Sequence, residues 1–384
     1  PDCSPKIKTS LKLLSMLVLC SAIPASEARV QEIDFNRDIR PLLSNNCFFC
    51  HGPDEEHREA DLRLDQEKAA KDGVIEPGDA EASELYARLI TSDPDLKMPP
   101  PESGKELTAE QVETLRHWIQ AGAQWKNHWS FTPPSRPKAP PVSDPNWTRN
   151  SIDHFVLARL DEKGWKPSPQ TAPATLLRRL ALDLTGLPPS QKQIQRFENA
   201  PTDKTYEELV DEILASPRYG ERMAMAWLDA ARYADTDGFQ IDETRTNWPW
   251  RDWVIDAYND NMPFDQFTLE QFAGDLLPDA TESQQLATSF HRNHMTNGEG
   301  GRDPEESRVD YVIDRVNTVG TVWLGLTLGC CQCHSHKYDP ITQSEYYALT
   351  TFFDSIDENG RAGRGAGPHL QVRSPHVELS LIHI

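Results

Sequence analysis

Two short stretches, Cys47-Phe48-Phe49-Cys50-His51 and Cys330-Cys331-Gln332-Cys333-His334, repeat one arrangement: two cysteines two residues apart, with a histidine directly after the second. This constrains the chain more than its composition does, because three reactive side chains within five residues must converge on one partner. In C-x-x-C-H the two thiols can add to the two vinyl groups of a haem, and the histidine is carried to the iron. Zinc is the main rival at Cys47 and Cys50, but it wants four ligands and no second cysteine pair lies near. A disulfide between Cys47 and Cys50 is the plain alternative.

For the second copy three readings stay open. Cys330 and Cys333 can attach a second haem c with His334 as ligand, His334 and His336 can hold another metal, or the cysteines can pair. Cys331 is then a spacer able to compete chemically. His336 sits too close to His334 to serve the opposite face of an iron, so the candidates there are His291, His294 and Met295, or no protein ligand. That choice separates electron transfer from chemistry, since an open position can bind oxygen, peroxide or substrate.

At the first copy, Met98 is the expected partner of His51. It lies in "LKMPPPESGK", where three prolines stiffen the loop. A thioether opposite an imidazole raises the potential of the iron and suits an electron carrier. The flanking segments suit a small helical domain. "DFNRDIRPLLSNN" puts Phe35, Ile39, Leu42 and Leu43 on one flank, and "TAEQVETLRHWIQAGA" opens with Thr108 and Gln111 in capping-box spacing before Val112, Leu115, Trp118 and Ile119.

The 384 residues carry 39 Lys plus Arg against 60 Asp plus Glu, a formal charge of -21. Such a surface repels phosphate backbones, so nucleic acid is excluded as a partner; its acidic helices fit a basic redox partner protein. Residues 1–28 read as a signal peptide: Lys6, Lys8 and Lys12, then "LLSMLVLC", then small residues at Ser26 to Ala28. The expected location is therefore exported, periplasmic or cell-surface, with no integral membrane segment once the signal is removed. The chain starts at Pro1 and closes on "LSLIHI", and it is read as a fragment.

The expected organisation is a cytochrome c-like haem domain over 30–125, a proline-rich linker over 126–148, a larger helical domain over 149–357, and an irregular tail over 358–384. Helical periodicity dominates the larger domain, as in "SIDHFVLARL" (Ile152, Phe155, Val156, Leu160) and "TYEELVDEILAS" (Tyr206, Leu209, Ile213, Leu214), and no alternating strand runs appear. The fold class expected is all-α. Asp229, Arg232, Asp235, Asp237, Asp242, Glu243 and Arg245 suit either a sugar or calcium site or, more plainly, a helix end held by ion pairs. Trp248, Trp250 and Trp253 suit either sugar stacking or a helical core. No nucleotide-binding glycine pattern and no G-x-S-x-G occur.

With these words in place, "RDIRPLLSNNCFFCHGPD", "KMPPPES" and "HWIQAGAQW" resemble the planctomycete-type cytochrome c domain. "LLRRLALDLTGLPPS", "SPRYGERMAMAWLDAARYADTDGF" and "LGCCQCHSHKYDPI" resemble the uncharacterised domain that commonly follows it. The resemblance implies covalent haem c at Cys47, Cys50 and His51 and names no reaction for the second domain; larger family members continue into a third. Three functions follow as expectations: an exported c-type cytochrome passing electrons, a haem oxidoreductase acting on a small molecule or carbohydrate near Cys333 and His334, and a carbohydrate-binding module braced by a metal.

Overall fold

The structure is a computed structural model describing residues 33–55, 57–127, 129–239, 242–362 and 366–371. The expected signal peptide, and the end of the tail, lie outside the described residues. The described residues form two compact units: those up to His51 with Asp61–Thr132, and Gly52–Ala60 with those from Pro133 onward. Among the described residues there are fourteen α-helices and no β-strand, with one isolated bridge between Thr236 and Thr244. The all-α expectation holds.

The first unit begins with a π-helical turn, Phe35–Ile39, whose entry is capped by the Asp34 carboxylate accepting from the N–H groups of Asn36 and Arg37. It runs into α1 (Arg40–Asn46) and is followed by α2 (Glu67–Gly73), α3 (Glu84–Ile90) and α4 (Ala109–Gln120). The Thr108 and Gln111 capping box that opens α4 is present in both directions, so its start is written in the sequence. Phe35, Ile39, Leu43, Leu64, Leu115 and Ile119 fill the core. Trp118 packs against the rings of Phe35 and Trp125, at 5.8 and 4.7 Å, and its indole N–H donates to the Gln124 carbonyl at 3.1 Å. The ring is thus buried without an unmet donor, and truncating it costs about 3–5 kcal/mol.

In the second unit the helices are α5 (Ser151–Glu162), α6 (Pro173–Thr185), α7 (Gln191–Asn199), α8 (Asp203–Leu214), α9 (Pro217–Ala230), α10 (Trp248–Asn259), α11 (Phe264–Ala273), α12 (Glu282–Ala287), α13 (Pro304–Val319) and α14 (Gln343–Asp354). Their starts follow local chemistry. Capping boxes open α5, α7, α12 and α14, and a proline in the first turn opens α6, α9, α10 and α13. One small core joins α6, α7 and α8 through Leu177, Phe197, Leu209 and Ile213; a larger one joins the later helices around Trp250, Val254, Val316 and Tyr346.

α5 departs from the expected pattern. Ile152, Phe155 and Val156 were expected on a buried face, yet they are 71, 42 and 47% exposed, while Leu157 is buried at 1%. Periodicity finds an apolar stripe, but which stripe meets a neighbour depends on tertiary packing. On α8, similarly, Leu209 and Ile213 are buried and Leu214 is exposed.

Candidate haem-attachment turns and a buried polar network

α1 delivers the first cysteine. Cys47 N–H closes the last helical bond to the Leu43 carbonyl at 2.8 Å, and the Phe48 N–H shares that carbonyl at 3.1 Å. The Cys47 carbonyl then accepts from the N–H of Cys50 at 3.2 Å and of His51 at 2.8 Å, so both thiols and the imidazole leave one tight turn. The spacers anchor it: Phe48 points into the core, while Phe49 is exposed with the Lys105 ammonium 6.0 Å from its ring centre. The His51 carbonyl accepts from the N–H of buried Leu64 at 2.9 Å, fixing the far end of the turn. Both thiols are free, and Cys47 packs against the core. Burial pushes the Cys47 thiol up to about 12, against the opposing pull of Lys105.

Met98 is partly buried after α3, and its N–H donates to the Arg88 carbonyl of that helix at 2.9 Å. Further along the same loop, Lys105 Nζ donates to the Asn45 carbonyl at 2.7 Å, two residues ahead of Cys47. Both ends of the Met98 loop are therefore tied to helices of the same core.

The second turn repeats the first. Cys333 N–H and His334 N–H both point to the Cys330 carbonyl, at 3.3 and 3.4 Å. Its burial is different: Cys330, Cys333 and His334 are exposed, and the spacer Cys331 is the buried one, its thiol facing the Ile341 carbonyl at 3.7 Å. The side chain of this turn that packs inward is therefore Cys331. His334 Nδ1 lies 2.8 Å from the Ser335 carbonyl, which can only accept, so Nδ1 carries a proton and Nε2 is the nitrogen left to face a ligand. His336 cannot act as its co-ligand through Nδ1, because that atom accepts from the N–H groups of Tyr338 at 3.2 Å and Asp339 at 2.8 Å. Among the described residues no three His, Cys, Asp or Glu side chains gather as a metal site.

The remaining candidates fall in a polar network buried in the second unit. Arg315 on α13 is 1% exposed; it donates through both terminal nitrogens to Glu358, through Nε to the His291 carbonyl at 2.8 Å, and through Nη2 to His294 Nε2 at 3.1 Å. His294 Nδ1 lies 3.0 Å from the Met295 carbonyl, and the ring stacks on Tyr311 at 4.1 Å. With Nδ1 on the Met295 carbonyl and Nε2 facing Arg315, neither nitrogen is free to ligate, and burial, then Arg315, holds the ring well below the usual histidine range. His291 is also buried, between the rings of Phe272 and Phe353, and neither of its ring nitrogens has a hydrogen-bond partner; the Gln271 carbonyl faces it outside hydrogen-bond geometry. Burial pushes its pKa down to about 3. Met295 is 54% exposed.

Sequence reasoning did not find Arg315 and Glu358. The available signal was an arginine at the spacing of Tyr311, Val312, Val316 and Val319, the buried face of α13. The acidic and arginine words near Asp237 join the same network as structural contacts. Asp237 accepts from Thr296 Oγ1 at 2.5 Å, and Arg245 donates to the His294 carbonyl at 2.7 Å, while Arg232 pairs with Asp314. Trp250 and Trp253 are core residues.

No helix among the described residues is long and apolar enough to cross a membrane. No curated protein and no solved structure matches the chain. Residues 47–102, which hold Cys47, Cys50, His51 and Met98, match the family described as planctomycete cytochrome C, so the first unit carries a c-type cytochrome domain. Residues 151–358, more than half of the chain and the span from α5 to Glu358, match the family described as protein of unknown function (DUF1549). The chain thus belongs to the DUF1549 family and carries a planctomycete cytochrome C domain ahead of that region.

Proposed function

We propose that the protein is an exported electron carrier that binds haem c covalently at Cys47 and Cys50, with His51 and Met98 on the two faces of the iron. The observation that carries this reading is the shared Cys47 carbonyl, which gathers two unpaired thiols and an imidazole onto one anchored turn. Haem c, when bound there, supplies a one-electron iron couple. The chain's own part is to hold Cys47 protonated against the core until attachment, to fix the His51 backbone through Leu64, and to place Met98 on a loop tied at both ends. A basic redox protein is the partner its net charge of -21 favours.

A second haem at Cys330, Cys333 and His334 is part of the proposal. The repeated carbonyl-capped turn and the free Nε2 of His334 support it, and the exposure of all three residues suits exchange of electrons with a partner. The oxidoreductase reading gains from the same exposure, since an uncovered iron face admits a small ligand.

The test is production in a periplasm with haem-attachment machinery, followed by peptide mass measurement. The expected result is one haem on the peptide holding Cys47 and Cys50 and one on that holding Cys330 and Cys333, with Cys47→Ala plus Cys50→Ala abolishing only the first. A colourless product with alkylatable Cys47 and Cys50 overturns the whole reading. Carbon monoxide then separates the two roles: an unchanged spectrum supports electron transfer alone, and a shift assigned to the second haem supports the oxidoreductase.

A further inference from the structure

The second unit carries a cleft of about 1030 Å³, at the top of the range of ~300–1,000 Å³ typical of small-ligand sites. Its floor is one stripe of α5, Asp153, Leu157 and Asp161, spaced four residues apart so that they face the same way. Trp147 stands on the segment before α5 and Trp165 on the loop after it, and Tyr206 of α8 completes an aromatic lining. None of these belongs to the haem-attachment turns or to the buried network around Arg315.

Exposure is the unusual feature. Trp165 is 62% exposed and Trp147 is 38% exposed, although tryptophan is the side chain with most apolar area to gain from burial. The Trp165 ring carries the Lys163 ammonium 5.5 Å from its centre, on a loop stiffened by Pro167 and Pro169. Two broad apolar rings are thus held open in a cleft lined by both polar and apolar side chains, Leu157, Leu176 and Phe197 among the latter.

The charges narrow the ligand class. Four aspartates, Asp144, Asp153, Asp161 and Asp203, line the cleft against one arginine and one lysine, which disfavours a polyanion. The aspartates are also tied down. Asp161 accepts from Ser143 N–H at 2.9 Å and Ser143 Oγ at 2.7 Å, and Asp153 caps α5 by accepting from Asn150 N–H at 3.2 Å and also accepts from Arg149 N–H at 2.7 Å. The Ser143 hydroxyl and N–H hold the Asp161 carboxyl below its usual range, leaving an ionised oxygen pair with lone pairs to spare. The lone pairs left on these carboxylates can accept hydrogen bonds from hydroxyl groups.

We propose that this cleft binds a neutral polysaccharide, with the sugar rings' apolar faces on Trp147 and Trp165 and their hydroxyls on Asp153 and Asp161. The proposal stands apart from the haem reading and holds whether or not either haem is attached. It is tested with the full haem-loaded chain by native electrophoresis in gels containing mixed-linkage β-glucan, galactomannan or xyloglucan, with alginate as the polyanion control. A proline-rich peptide copied from residues 133–142 serves as competitor. The expected result is retardation by at least one neutral polymer, none by alginate, no competition by the peptide, and about tenfold weaker retardation for Trp165→Ala and for Trp147→Ala. Trp165 is largely solvent-facing and Trp147 is 38% exposed, and helical circular dichroism checks that each variant is folded. Retardation by no neutral polymer, retardation as strong in both tryptophan variants as in the parent, or displacement by the peptide overturns the proposal.

Discussion

Arg315 and Glu358 face each other with side chains only 1% exposed, joined by both terminal guanidinium nitrogens, and Arg292 adds a third bond to the same carboxylate at 3.2 Å. One carboxylate therefore compensates the fully buried Arg315 guanidinium and the partly exposed one of Arg292. Removing a partner from such a pair leaves a charge in a low-dielectric site, at a cost of about 3–5 kcal/mol. Glu358→Gln is expected to destabilise the second unit by that amount, read as a lowered urea midpoint. Arg315→Met combined with Glu358→Leu is expected to recover part of it, since the pair itself contributes little beyond its own desolvation. A midpoint unmoved by Glu358→Gln would show that the pair is not closed in solution.

The histidines beside this pair make stability depend on pH. His291 has a folded pKa of about 3 against an ordinary 6.5, and that of His294 is also lowered. A histidine with a depressed folded pKa favours the folded state in its neutral form. The unfolded chain binds more protons below pH 6.5, so stability is complete above that value and is lost as pH falls towards 3. The slope is up to about 1.4 kcal/mol per pH unit for each ring. Phe272 and Phe353 flank His291, whose nitrogens bond to nothing, so His291→Phe is expected to be neutral at about pH 7 and stabilising at about pH 5. Equal melting shifts at the two pH values would exclude this account. A change in the spectrum of the second haem in the same variant would instead make His291 its ligand.

Arg315 and Glu358 mark where the sequence stops being legible. Local rules wrote the helix starts: Thr108 with Gln111, Asn150 with Asp153 and Thr342 with Glu345 all form the reciprocal caps their spacing implies. The C-x-x-C-H turns are equally local, because their bonds span three and four residues. The partners of Arg315 are not local, since Glu358 lies 43 residues away and His294 lies 21 residues away. The stripe of α5 failed for the same reason: Ile152, Phe155 and Val156 satisfy the helical period, but only contacts remote in sequence decide that Leu157 is the one covered.

The two turns differ in what their thiols meet, and reactivity before haem attachment should report it. Desolvation pushes Cys47 up to about 12, leaving almost no thiolate near neutral pH, and Cys331 is also raised by burial. Cys330 and Cys333 are exposed. In haem-free protein, iodoacetamide is expected to label Cys330 and Cys333 first and Cys47 at least about tenfold more slowly, with unfolding in urea abolishing the difference. Peptide mass spectrometry over a time course reads this order. Equal rates in the folded protein would mean that α1 does not hold Cys47 against the core.

Helices α9 and α10 meet at a point that admits no side chain. A Cβ on Gly220 would lie 2.4 Å from the Ile255 carbonyl and 2.5 Å from the Asn259 amide carbon, both on α10. The Gly220 N–H also donates to Asn259 Oδ1 at 2.8 Å, so the backbone is held in place and cannot slide aside. On helix propensity alone, Gly220→Ala would stabilise α9 by up to about 1 kcal/mol. The clash outweighs that gain: backbone oxygen cannot rotate away, so the helices must separate around the core holding Trp250 and Val254. The expected outcome is a net loss of about 1–3 kcal/mol. Gly164→Ala meets no atom within 4 Å, but its φ of +66° strains any side chain, so it should cost about 1 kcal/mol without disturbing packing. Denaturant midpoints distinguish the two, and a Gly220→Ala protein as stable as the parent would place α9 and α10 further apart than this structure does.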